Sequence, residues 1–475
     1  MQDVRSLGKA RQALGTAFVL TVLTGVCGFF VLLTAVSCSS TLTSGNCRTV
    51  ANCKDDDKPI CDAETLSCRP CRPGTDDIAC RNRNSGTPLC GSNGHCSVAC
   101  TSSAECTRSN PRTQTPICER NTCRRCLVSA DCESGVCSAD GSCVPTSDVL
   151  FVNNKGPDCM NGGPQDGTEL HPFCKLSEGI TNALDKARSA ILISPSADPY
   201  EGIELTSAPS QGLLLRGIGS QRSDVKILST TVQRPGLRIM LNSGQRIEVQ
   251  NLQIQAPFGK AVDCTGTGKL TLSNIQIDSS ATGIAASECT LVLDRARIYA
   301  NTVIGISLDN VTYTVDNLML WSNEIGMKLT GGMGTVRFAT IYGNGRGTSP
   351  STPGVTCTGG PMVTLENSII YNNVSASKNS GQTAGCLLSN VVTDDSEATG
   401  PGVKMLTMTS PIDFVVGVGA VPDLDLRLKS DSANNRSCCI DKLTPTTGMT
   451  FIDHDIDGGP RPVNGSADIG AHEVQ

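Results

Sequence analysis

The sequence predicts an all-β fold: a right-handed parallel β-helix with three strands per coil, opened by a capping helix and preceded by a small disulfide-rich repeat region. Three observations predict it. An eight-residue block recurs from about residue 247 at steps of 23, 21, 22, 21, 29 and 23 residues. The apolar alternation within each block breaks at one fixed place, usually at Asn. Sixteen of the 26 cysteines lie within 47–143, inside a stretch that has no Phe, Tyr or Trp from 39 to 145.

Residues 1–38 read as an export signal. Arg5, Lys9 and Arg11 precede an uncharged run from Ala13 to Ser40, a basic start followed by an apolar middle. Ala35-Val36-Ser37 before Cys38 fits a cleavage site, a lipoprotein signal that makes Cys38 a lipidated first residue, or, given the length of the run, a retained membrane helix. With a net charge of −6 and a pI near 5.4, the chain lacks the basic field that draws a protein to nucleic acid. So many cysteines require an oxidising compartment.

Residues 39–146 form the cysteine-rich region. Its cysteines fall into four groups of four: 47, 53, 61, 68; then 71, 80, 90, 96; then 100, 106, 118, 123; then 126, 132, 137, 143. Each group reads as a mini-module closed by two disulfides in place of a core, with the pairing left open. The alternative, zinc at Cys68-x2-Cys71 and Cys123-x2-Cys126, lacks a partnering CxxC or histidine.

Residues 147–425 form the β-helix. Its blocks run Ile-Glu-Val-Gln-Asn251-Leu-Gln-Ile, Leu-Thr-Leu-Ser-Asn274-Ile-Gln-Ile, Leu-Val-Leu-Asp-Arg295-Ala-Arg-Ile, Tyr-Thr-Val-Asp-Asn317-Leu-Met-Leu and onward through Phe338, Asn367 and Asn390. Positions one and three face in, the fifth is a bend, and six and eight face in again. A third apolar strand follows Gly283, Gly305, Gly326 and Gly354. Asn301, Asn323, Asn344 and Asn373 recur at a second corner, where amides stack along the axis. The long step is a Gly/Ser/Pro-rich insertion at 346–352. Cys264 and Cys289, and Cys357 and Cys386, each lie about one coil apart and are expected to bridge neighbouring rungs.

Phe151-Val-Asn-Asn-Lys-Gly, Gly167-Thr-Glu-Leu-His-Pro-Phe173, an amphipathic stretch with Ile180, Ala183, Leu184 and Ala187, and Ile191-Leu-Ile-Ser resemble the opening of pectin-lyase-like β-helix proteins. There the stretch is a helix closing the coil stack, and Cys159 and Cys174 are expected to staple this entrance. At residues 426–475, Leu426-Arg-Leu-Lys-Ser430, Cys439-Ile-Asp441, Asp457-Gly-Gly-Pro-Arg461-Pro and Asp468-Ile-Gly-Ala-His-Glu473 resemble the choice-of-anchor Q region of bacterial surface β-helix proteins. That resemblance implies export and attachment to the cell surface or outer membrane. His472 stands where the family has an aromatic. Asp453-x-Asp455-x-Asp457-Gly458 matches the opening of a calcium loop, but Asn464 occupies the closing position, so a terminal turn competes with a Ca²⁺ site.

Two outward columns are the candidate chemistry. Tyr299, Trp321, Tyr342 and Tyr371 occupy the ninth position of successive coils, as a sugar-stacking platform or a self-stacking ladder. Asp294, Asp316 and Arg337 occupy the fourth, as a surface ion-pair ladder or as the calcium-binding carboxylates and the base of a polysaccharide lyase. The leading reading is an exported, surface-anchored binding or structural module for polysaccharide or an envelope component. The alternative is a Ca-dependent polysaccharide lyase acting on acidic glycans.

Overall fold

The computed structural model describes residues 47–475 apart from 48, 56, 74, 84–88, 91–93, 98–99, 101, 108–112, 120–121, 139, 233, 346–353, 359–362, 374–382, 407–410, 417–423, 445–451 and 464. The export signal with Cys38, the loop expected at 346–352 and Asn464 lie outside the described residues.

In each cysteine module the first cysteine bonds the third and the second bonds the fourth: Cys47–Cys61 with Cys53–Cys68, Cys71–Cys90 with Cys80–Cys96, Cys100–Cys118 with Cys106–Cys123, and Cys126–Cys137 with Cys132–Cys143. The CxxC pairs considered for zinc therefore belong to different modules, each half already bonded elsewhere. A repeated ion pair sets the turn after the first cysteine. Asp76 accepts from Arg69 and from the Arg72 amide, and Asp131 accepts from Arg124 and from the Leu127 amide.

The remainder winds as a parallel β-solenoid. Its long strands Arg246–Gln255, Lys269–Asp278, Thr290–Tyr299, Thr312–Trp321 and Met333–Tyr342 pair in parallel, rung on rung. Each is bent once. Asn251, Asn274, Arg295, Asn317, Phe338, Asn367 and Asn390 all have φ between +50° and +53°, the left-handed region that Asn tolerates better than branched residues. The bend divides each strand into a first and a second face. A separate eight-stranded parallel sheet supplies the third.

Alternation around the bend sends Ile247, Val249, Leu252 and Ile254 into the core, where they are fully buried. At the second corner the amides of Asn301, Asn323, Asn344 and Asn373 stack: each Nδ2 donates to the next Oδ1 at 2.8–2.9 Å. Backbone amides of Asn301, Asn323 and Asn344 donate to the same oxygens. The buried amides are thus satisfied, as burial demands.

The opening of the stack is closed by the helix Leu176–Asp185, which buries Leu176, Ile180 and Ala183. Gly179 lets it approach: a Cβ there would stand 2.7 Å from the Val152 methyl. Ala187 lies past the helix end, with φ +52°. Cys159 bonds Cys174, and Cys357 bonds Cys386.

Cys264 and Cys289 do not bond; both are buried thiols. The reason is register. Cys264 sits opposite Ala286, so Cys289 is three residues further along the next coil. In the bonded pair, Thr356 opposite Ala384 leaves Cys386 only one residue past the partner of Cys357. A 25-residue spacing measures one coil without measuring that offset. Alkylation of the unreduced chain is expected to label Cys264 and Cys289 only after denaturation. Peptide mapping that finds them unlabelled in denaturant would show a bond instead.

After the last parallel rung, which pairs Val392 and Thr393 with Lys404 and Met405, the chain turns antiparallel. Phe414–Val416 pairs with Asp425–Leu428, so this hairpin straddles the boundary expected at 425/426. The helix Ala433–Cys438 follows, capped by the Ser432 hydroxyl. Cys438 and Cys439 are bonded to one another. The final segment, 452–475, folds back along the second face.

Candidate functional site

The fourth-position column is real: Ser273, Asp294, Asp316, Arg337 and Glu366 are successive rung partners. Its charges are already engaged. Arg337 Nε and Nη2 donate to the two Asp316 oxygens, both at 2.8 Å, a bidentate pair. The Asp316 carboxylate raises the Arg337 pKa, so this guanidinium is further from acting as a base than an isolated one. Asp294 accepts from Asn317 at 3.0 Å and faces His454 Nε2 at 3.0 and 3.2 Å. Asp294 and Asp316 therefore do not form an open calcium cradle. Asp316 is paired with Arg337, and Asp294 is met by Arg295 and by His454 of the folded-back tail.

The aromatic column does not face solvent. Tyr299, Trp321 and Tyr342 are buried, Trp321 to 3% exposure, and only Tyr371 is partly accessible. Tyr299 stacks on Trp321 with centroids 4.2 Å apart, and Tyr342 meets Phe414 edge to face at 5.2 Å. Ile412, Leu424, Leu426, Ile452, Ile456 and Ile469 complete the same apolar cluster. The reading as an open stacking platform is thereby corrected. Rings this large contribute most when covered, and the C-terminal region covers them.

The tail is fastened by one buried guanidinium. Arg461 has a fully buried side chain. Its Nε donates to Glu473 at 3.1 Å, Nη1 to Asn317 Oδ1 at 2.8 Å, and Nη2 to the carbonyls of Gly470 and Ala471. The guanidinium lies 4.1 Å above the Phe338 ring. Glu473 also accepts the amides of Val463 and Asp468, and Asp468 accepts those of Asp441 and Val474. Burial pushes the Asp468 carboxyl up to about 6. The residues that carry the C-terminal resemblance are thus an internal lock.

Of the two readings of Asp453-x-Asp455-x-Asp457, the calcium loop does not assemble among the described residues. Asp453 is exposed and bonds His454 Nδ1 at 2.7 Å, away from the other two. Asp455 spends its oxygens on the amides of Asp457, Gly459 and Glu473. Asp457 pairs with Arg297. A donor atom of His472 lies within 4.8 Å of Asp455 and Asp457, but Arg297 and Arg427 already supply positive charge to these carboxylates. The donor set does not fit Ca²⁺, which asks for six to eight oxygens.

The His454–Asp294 contact has a defined pH window. The Asp294 hydrogen bond raises the His454 pKa above 6.5; that contribution is complete below 6.5 and lost as pH rises through the raised value. Burial works to raise the Asp294 pKa, but His454, Arg295 and Asn317 outweigh it and hold the carboxyl below 3.8. Its contribution is present above 3.8 and lost as pH falls through the lowered value. The His454–Asp294 contact is expected to be firmest between pH 3.8 and 6.5. Limited proteolysis of the C-terminus should accelerate as pH rises above 6.5, and His454→Gln should remove that limb.

Among the described residues two surfaces remain open. On the third face Ala285, Ser307, Lys328 and Thr356 continue one register column from the buried Asp263, flanked by exposed Asp309 and Thr358. A cleft lies where the fourth cysteine module rests on the first face. Neither was singled out from sequence. The third face breaks the repeat with variable spacing, and the cleft joins residues about a hundred positions apart.

No protein-family model matches the sequence, and neither does any curated protein. Among solved structures the chain is similar to a rhamnogalacturonan lyase, at 10% identity over 52% of this chain and 73% of that one, with a TM-score of 0.36. It is also similar to the A-module of a mannuronan C-5 epimerase from Azotobacter vinelandii, at 13% identity, 48% and 75% coverage, and a TM-score of 0.30. A pectin methylesterase matches at 11% identity, 55% and 93% coverage, and a TM-score of 0.32. These likenesses concern the fold alone, which rests on the strand ladders above.

Proposed function

We propose that this chain is an exported β-helix module of the cell surface with a binding or structural role toward polysaccharide or an envelope component. The observation that carries this reading against a lyase is the tail seated on the second face. It engages Asp294 through His454 and buries the aromatic column, which leaves no open groove containing both columns. Eleven disulfides among the described residues suit an oxidising, exported setting. The cysteine modules serve as the stalk, and Cys38 or the apolar run before it serves as the attachment.

Incubation with a panel of acidic polysaccharides and Ca²⁺ is expected to give no ultraviolet absorbance from unsaturated products. Absorbance that appears with the wild type and disappears in Arg337→Ala would overturn the reading in favour of the lyase. Retention of the wild type on immobilised acidic polysaccharide, without product, is the positive result.

A further inference from the structure

The cleft between the fourth cysteine module and the β-helix encloses about 240 Å³. Its walls are held in place from both sides. Arg246 Nη1 donates to Asp140 at 3.0 Å and its Nε to the Gln211 carbonyl at 2.8 Å. Arg216 donates to the Gly135 carbonyl at 2.9 Å and to the Ser129 hydroxyl. Val136 and Val144 of the module pack with Val149, Ala190, Leu192 and Leu214. The module is thus seated on the sheet by paired charges and an apolar contact, and the cleft is preformed.

The lining is mixed in a particular way. The module contributes the hydroxyls of Ser138 and Ser142, whose oxygens lie 2.9 Å apart and which both donate to Asp140. The aliphatic surfaces are Val144, Pro145, Leu214 and Val292, and Glu248, which accepts from Gln250, is a second carboxylate on the sheet wall. Lys269 lies at the exposed margin of the sheet wall, and no ion pair among the described residues engages its ammonium. The two serine oxygens, their protons given to Asp140, remain acceptors beside aliphatic patches, which suits a ring with hydroxyls on its edge and C–H bonds on its faces. An uncommitted ammonium suits a carboxylate on that ring. The volume lies below the roughly 300 to 1,000 Å³ of drug-sized ligand pockets, so one ring fits and an extended chain does not.

We propose that this cleft binds a single uronic-acid residue at the end or branch of an acidic polysaccharide, with Lys269 taking its carboxylate. The inference rests on the polysaccharide reading above and gives it a place and a substrate class. The third face, flat and without an enclosing wall, is not required for it.

The test is calorimetric titration of the full chain with a galacturonic acid trisaccharide and with its neutral galactose counterpart. The acidic sugar is expected to bind at least tenfold more tightly than the neutral one, and more weakly as salt is raised. Lys269→Ala should weaken binding about tenfold and Lys269→Glu should abolish it. Both should leave the melting temperature unchanged, because the ammonium is exposed and unpaired. Val292→Phe, which fills the cleft from the sheet side, should abolish binding of either sugar. If Lys269→Glu and Val292→Phe, each still folded, bind the acidic sugar as well as the wild type does, the cleft is not the site while the polysaccharide reading stands. If neither sugar binds the wild type and no acidic polysaccharide retains it, the polysaccharide reading falls and the proposal with it.

Discussion

Replacing Arg461 with Ala is expected to destabilise the C-terminal region by about 3–5 kcal/mol, the cost of breaking a buried ion pair by removing one partner. The magnitude follows from what is left behind. Glu473 becomes a buried carboxylate with amide donors but no counter-ion, Asn317 Oδ1 loses its 2.8 Å donor, and two carbonyls lose theirs. The Phe338 ring loses the cation above it. The β-helix core does not depend on these contacts, so the loss should be local. Denaturant unfolding is expected to split into an early step and a late one, with protease cutting within 452–475 before the coils open. A single unchanged transition would show that the lock contributes nothing.

Trp321→Ala carries the second large effect, about 3–5 kcal/mol for truncating a buried aromatic. Trp321 is packed between Tyr299 and the C-terminal cluster, so its removal opens a cavity under the tail. The discriminating partner is Trp321→Phe. The Trp321 indole N–H is buried without an acceptor, and Phe keeps a ring while deleting that unsatisfied donor, so the cost should be far smaller. Melting temperatures of the two variants check this. Equal losses would mean the indole donor is satisfied.

The contrast between those two columns and the coil bends shows how far the sequence could be read. The bend was legible at every position from Asn251 to Asn390, because it is a local backbone requirement repeated once per coil and paired with alternation on either side. Which outward side chains meet water was not legible. Alternation separates the inside of a coil from its outside, but it says nothing about a segment more than a hundred residues later that packs on the outside. Two signals were nonetheless present. The bend departs from Asn at Arg295 and Phe338, where the tail rests: Gly458 lies against the Arg295 guanidinium and Arg461 lies over Phe338. Concentrating Tyr and Trp in one column of an aromatic-poor chain is itself the mark of a covered surface. The failed Cys264–Cys289 bridge has the same origin, since spacing counts residues per coil and a bond depends on register.

The interlocked pairing of the cysteine modules has a mechanical consequence. From Cys47 to Cys68 the backbone covers 21 residues, which drawn straight would span about 70–75 Å at roughly 3.3–3.6 Å per residue. Because Cys53 is bonded to Cys68 with their Cα atoms 5.6 Å apart, a pull on the two ends travels six residues and one bridge, a reach of only about 25 Å. The other modules repeat this short-circuit, and the links Arg69-Pro70 and Arg124-Arg125 are themselves clipped to the following module by the ion pairs to Asp76 and Asp131. Under load the region behaves as a strap of nearly fixed length. Were its N-terminal end tethered to a surface, the region would hold the β-helix at a set distance against drag that would draw out an uncrosslinked linker.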